Sequence, residues 1–129
     1  MKPKTLKKPP VYLDLLRIRL PVGAVTSLLH RVSGVVLALS LPLGLYVLDL
    51  SLRDPASYEE LLRLWDRPGV RLTTVLMLWA FVHHLLAGAR FLLIDMGIGV
   101  GLRPARAGAW AVNLAGALLV LVTAVALLS

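Results

Sequence analysis

A chain of 129 residues makes one domain at most, and this one is 58% hydrophobic and only 16% charged, with a mean hydropathy of +0.81. Soluble domains average about 45–50% apolar and about 25% charged, and so small a chain buries its surface poorly in water, whereas in a bilayer apolar side chains face lipid. The absence of Cys excludes disulfides, thiolate zinc sites, iron–sulfur clusters and covalently attached haem; the net charge of +7 comes with no recognisable nucleic-acid module, so it speaks for membrane orientation and against a nucleic-acid partner.

Residues 1–10, MKPKTLKKPP, are rich in Lys and Pro and read as extended or disordered. Residues 11–20 alternate apolar and charged side chains, which suits an interfacial segment, so 1–20 forms a basic tail ahead of a membrane domain over 21–129. Pro21 suits the first turn of a helix. The first apolar run, Val32–Leu52, extends back toward it, predicting a helix over about 22–52 that contains Pro42 and Gly44. Residues 53–71 are a polar stretch in which four Arg balance four acids, and Ser57–Trp65 has the pattern of a short amphipathic surface helix. A second run predicts a helix over about 70–95, and the Gly-rich connection 95–106 leads to a third over about 105–128. The expected fold is all-α: a multi-pass bundle of three transmembrane helices. Lys2, Lys4, Lys7 and Lys8, with Arg103 and Arg106, place the N-terminus and the 95–106 loop in the cytoplasm by the positive-inside rule.

Ionisable residues inside spans are costly and usually functional. Ser27, His30, Arg31 and Gly34 share a helix face by their spacing of three, four and seven. A hydroxyl and a guanidinium one turn apart suit a carbonyl or carboxylate ligand; alternatively Arg31 reaches headgroups and Ser27 bonds its own helix. His84 falls about 18 Å into the second run, near the midplane, with Gly88 one turn on. It suits an axial haem ligand, with Gly88 admitting a flat macrocycle, or an interhelical hydrogen bond. His83 points about 100° away and reads as structural. Arg90 is open to three uses: reaching inward to headgroups, pairing with Asp95, or neutralising an anionic cofactor group. The chain carries no phosphate loop, nucleophile–base pair or dinucleotide fingerprint, so any electrons come from another subunit.

Two motifs in order, Leu13-Asp14-Leu15…Ile18-Arg19…Pro21…Ser27-Leu28-Leu29-His30-Arg31-Val32-Ser33-Gly34-Val35 and His84-Leu85-Leu86-Ala87-Gly88-Ala89-Arg90 followed by Asp95, resemble the cytochrome b anchor family of succinate dehydrogenase over residues 11–129. The resemblance implies a non-flavin anchor of the bacterial inner membrane, not an enzyme on its own. It implies association with a smaller membrane anchor, an iron–sulfur subunit and a flavoprotein subunit. Ser27 and Arg31 would bind ubiquinone. His84 would be one axial ligand to the iron of haem b, the second coming from the smaller anchor, and His30 with Arg31 would lie by the propionates. Phe91 stands where many members have a second His, so no role of a His there carries over. A haem-free quinone-site anchor and the anchor of a fumarate reductase share the same pattern.

Overall fold

A computed structural model describes residues 19–128, and the expectations for residues 1–18 lie outside it. The described residues hold four helices and no strand: α1 (Val22–Arg53), α2 (Pro55–Trp65), α3 (Pro68–Asp95) and α4 (Leu102–Leu128). Three of them, α1, α3 and α4, are long and apolar enough to cross a membrane. At about 1.5 Å per residue the 32 residues of α1 reach about 48 Å, well beyond a hydrocarbon core of about 30 Å. Its polar first turns therefore extend into the headgroup region or the helix tilts.

Helix starts follow local chemistry. Pro55 and Pro68 open α2 and α3, where a missing N–H costs nothing. The carboxylate of Asp54 accepts the Ser57 N–H at 2.8 Å and the Ser57 hydroxyl at 3.0 Å, capping α2. At the far end of α3, Gly97 and Gly99 adopt φ of +80° and +75°, which only glycine does cheaply, and turn the chain back into α4.

The cap makes α2 sensitive to acid. Hydrogen bonds from the backbone and then the hydroxyl of Ser57 hold the Asp54 carboxyl below its ordinary value of 3.8. A carboxyl whose folded-state value is depressed contributes its full share above the unfolded value and loses it as pH falls through the folded one. Asp54→Ala is therefore expected to speed amide exchange over the first turn of α2 at neutral pH. In the native chain the same acceleration should set in only below about pH 4. Equal exchange in both chains at neutral pH would remove the cap.

The three long helices run alternately up and down, with α3 in contact with both neighbours and α1 touching α4 along a smaller seam. In lipid, cohesion comes from close packing and hydrogen bonds more than from apolar burial. The seams accordingly use small residues: Ala80 and Ala87 on α3, with Ala109 and Gly116 on α4, are all buried. Thr26 is fully buried; its one hydroxyl hydrogen is shared between the Val22 carbonyl at 3.0 Å and Asn113 Oδ1 at 3.2 Å, and the second of these bonds stitches α1 to α4. Bonds of this kind average about 0.6 kcal/mol in a membrane protein. Two arginines pin α3 to both ends of α4: Arg71 donates to the Leu127 carbonyl at 3.2 Å, and Arg90 to the Ala105 carbonyl at 2.8 Å.

Candidate functional site

The polar residues of α1 and α3 meet where α1 begins and α3 nears its end. The two apolar helices approach closely there because each carries a glycine opposite the other's imidazole. A Cβ at Gly34 would stand 2.9 Å from His84 Cε1, and a Cβ at Gly88 would stand 3.5 Å from His30 Nε2. The glycines thus receive crossed imidazoles. His30 and His84 consequently stack ring on ring, with centroids 4.1 Å apart and planes 12° from parallel. Phe91 packs edge-on against His30 at 5.3 Å.

His84 is anchored through one nitrogen. Its Nδ1 lies 3.1 Å from the His30 carbonyl and 3.3 Å from Ser33 Oγ, while the Ser33 hydroxyl donates to that same carbonyl at 2.9 Å. Among the described residues Nε2 makes no hydrogen bond. An imidazole held through one nitrogen and open at the other is the donor arrangement of a haem axial ligand, so the residues fit that group. No set of three His, Asp or Glu side chains among the described residues gathers into a self-contained metal site.

Ser27 and Arg31 stand one turn apart on α1. The Arg31 guanidinium is exposed, and its Nε donates to the Ser27 carbonyl at 3.3 Å. The fork is therefore steadied at one nitrogen and faces outward with the rest, beside the half-buried Ser27. Such a pair can hold an oxyanion or a carbonyl presented from outside the chain.

The structure departs from three readings of the spacing. His84 counts to near the midplane of its run, yet the structure stacks it on His30, in the early turns of α1, so the two rings share one level. Gly88, read as admitting a flat macrocycle if His84 is an axial ligand, has the His30 ring against it in the structure. Arg90 makes no ion pair with Asp95 among the described residues; its side chain lies against Gly108 of α4 and is held by the Ala105 carbonyl. His83 turns away from His84 to α4, is buried to 1% exposure, and stacks on Trp79 at 5.4 Å.

Spacing gave Ser33 and Thr26 no role, although both are fully buried. Hydroxyl residues at 26, 33 and 40, seven apart, mark the inward seam of α1, and that periodicity was the available signal. The large cleft lies elsewhere, at the α2 end, with a volume of about 810 Å³ between α1, α2 and α3. The hydroxyls on its wall, Ser40, Ser51, Thr73 and Thr74, donate to carbonyls of their own helices. With those four hydroxyls turned to their own helices, the wall is largely hydrocarbon, and Tyr58 and Trp65 of α2 supply its other polar atoms.

Apolar spans around two half-buried, stacked imidazoles and buried hydroxyls, with an exposed guanidinium on the same helix, define a multi-pass membrane subunit with a polar site between its helices. The chain belongs to the succinate dehydrogenase/fumarate reductase transmembrane subunit family, whose pattern it matches over residues 5–124. It is similar to the succinate dehydrogenase cytochrome b556 subunit of Coxiella burnetii, at 37% identity over 81% of this chain and 85% of that one. It is also similar to the subunit of the same name from Paracoccus denitrificans, at 33% identity over 67% of each chain. The chain is accordingly a multi-pass protein of the bacterial inner membrane and a membrane subunit of this class of complex.

Proposed function

We propose that this chain is the haem b-carrying, quinone-site anchor of a succinate dehydrogenase, with residues 21–129 as the anchor and 1–20 as its basic tail and interfacial segment. The observation that carries the reading is the His84 imidazole, held at Nδ1 by Ser33 and the His30 carbonyl and with no hydrogen bond at Nε2 among the described residues; Ser27 and Arg31 flank His30 on the same helix. The names of both similar proteins, cytochrome b556 subunits of succinate dehydrogenase, favour succinate oxidation over the fumarate-reducing direction that the family also covers.

In this reading succinate is oxidised on a flavoprotein subunit, and electrons cross an iron–sulfur subunit to ubiquinone docked against the start of α1. Arg31 holds the oxyanion that develops as the quinone is reduced, and Ser27 donates a hydrogen bond to a quinone carbonyl. Two electrons and two protons complete the quinol, the protons coming from water at the interface. Haem b, when bound, supplies a one-electron store beside the quinone. His84 would hold the iron of that haem through Nε2, together with an imidazole of the smaller anchor, and His30 and Arg31 would hold its propionates.

The test is purification of the native complex in mild detergent. The expected result is co-purification with a flavoprotein, succinate-dependent quinone reduction and the reduced-minus-oxidised spectrum of a low-spin haem. Recovery of the chain without any flavoprotein overturns the reading, and a quinone-active complex lacking haem reduces it to a haem-free anchor.

The basic tail, with Arg103 and Arg106, favours a cytoplasmic N-terminus and a cytoplasmic 95–106 loop. Since the chain has no Cys, a single Cys placed at Ser57 reports its side cleanly. Impermeant thiol reagents are expected to label it from the periplasmic side; labelling from the cytoplasmic side alone would invert the topology.

A further inference from the structure

We propose that Ser33 is a positioning residue that fixes the tautomer of His84, so that Nε2 is the nitrogen with the free lone pair. The inference rests on the reading of His84 as an axial ligand, and its argument lies in hydrogen counting.

A neutral imidazole has one N–H and one lone pair, and only the lone pair binds iron. Which nitrogen is which follows from the partners of the other. Two oxygens face His84 Nδ1: the His30 carbonyl at 3.1 Å and Ser33 Oγ at 3.3 Å. The carbonyl can only accept. A hydroxyl could in principle donate, but Ser33 has a single hydrogen, and it goes to the His30 carbonyl at 2.9 Å. Toward His84 the serine therefore presents lone pairs. With acceptors alone around it, Nδ1 must carry the proton.

Ser33 acts twice in this arrangement. It is a second acceptor for Nδ1–H, and it ties down the carbonyl that is the first. It is fully buried, so water does not replace it. The remaining freedom of the ring is closed by its neighbours. Gly34 lies alongside the Cε1 edge, where a Cβ would stand 2.9 Å away, and the His30 ring covers one face at 4.1 Å. Rotating the ring by half a turn would set the Cδ2–H edge in place of Nδ1–H and leave both acceptors without their donor. Groups that hold the far nitrogen of a metal-bound His typically contribute about 10–100-fold to affinity.

The experiment uses the native complex carrying Ser33→Ala, with Ser33→Thr to restore the hydroxyl. The readouts are the pulsed-EPR coupling of the remote nitrogen of the axial imidazole, its exchangeable proton in deuterated water, and the rate at which haem passes to apomyoglobin. The native complex should show a protonated remote nitrogen. Ser33→Ala should shift its coupling and speed haem loss about 10-fold, and Ser33→Thr should return both toward native. An unprotonated remote nitrogen in the native complex overturns the proposal. So does a Ser33→Ala complex that assembles less well but keeps the native coupling and haem retention in its assembled fraction, because Ser33 then serves packing alone. A native complex without low-spin haem, or a low-spin signal that survives His84→Leu, overturns the ligand assignment instead, which keeps the two failures distinct.

Discussion

A complex carrying His84→Leu is expected to lose its low-spin haem spectrum, with haem content down at least about 10-fold, while His83→Leu keeps both. The two residues are adjacent, so a helix of about 3.6 residues per turn aims them about 100° apart, and the packing assigns them different neighbours. His84 faces α1, where Gly34 makes room for it and Ser33 and the His30 carbonyl hold one nitrogen. His83 faces α4, against Trp79 and Gly116, and neither of its ring nitrogens has a hydrogen-bond partner among the described residues. The His83 imidazole contributes its bulk and its stack on Trp79, with no close hydrogen bond at either nitrogen to offset the water it gave up. Leucine supplies similar bulk without that penalty, so His83→Leu should assemble at least as well as the native chain. Reduced-minus-oxidised spectra of both variant complexes decide the matter. Loss of haem in His83→Leu with retention in His84→Leu would reverse the assignment. Low-spin haem in this chain purified without a partner anchor would refute the shared site.

Arg31→Ala and Ser27→Ala are expected to lower succinate–quinone activity by about 100-fold or more each, the usual effect of losing one preorganised donor at a developing oxyanion. Succinate oxidation with an artificial soluble acceptor should stay near native. The split is interpretable because of where Arg31 stands: it is exposed, and its hydrogen bond is a local one to the Ser27 carbonyl. Removing it strands no buried partner, so its structural cost should be small. A parallel fall in both activities would mean that the two residues serve assembly of the complex.

The three spans were legible because apolar runs longer than about 20 residues admit few other readings. Their ends were less so: α3 begins at Pro68 and not near 70, and α4 at Leu102 and not near 105. Pro68 itself was a usable start signal. Ser27, His30, Arg31 and His84 were picked out as polar groups where polarity is costly. What could not be read was rotation. A soluble helix declares its inner face by its apolar stripe, whereas α3 and α4 are apolar all round, since lipid and protein interior look alike to them. The stripe 27–30–31–34 was identified, but the inner seam runs along 26–33–40, so Thr26 and Ser33 were passed over while Arg31 faces out. The meeting of His30 with His84 depends on how two helices cross, which no count along one helix supplies.

The crossed glycines carry a consequence for how the bundle finds its alignment. Smooth apolar helices in lipid slide past one another at little cost, because leucine against leucine is much the same one turn up or down. At this crossing the surface is notched in both directions. A slip of one turn, about 5.4 Å, would carry His84 from Gly34 to His30 or Ala38, and His30 from Gly88 to His84 or Leu92. Both imidazoles would then strike side chains at once. Neither ring can leave its notch unless the other leaves too, so the pair behaves as a ratchet with a single seat, and α1 and α3 keep a common depth without any covalent tie or ion pair between them.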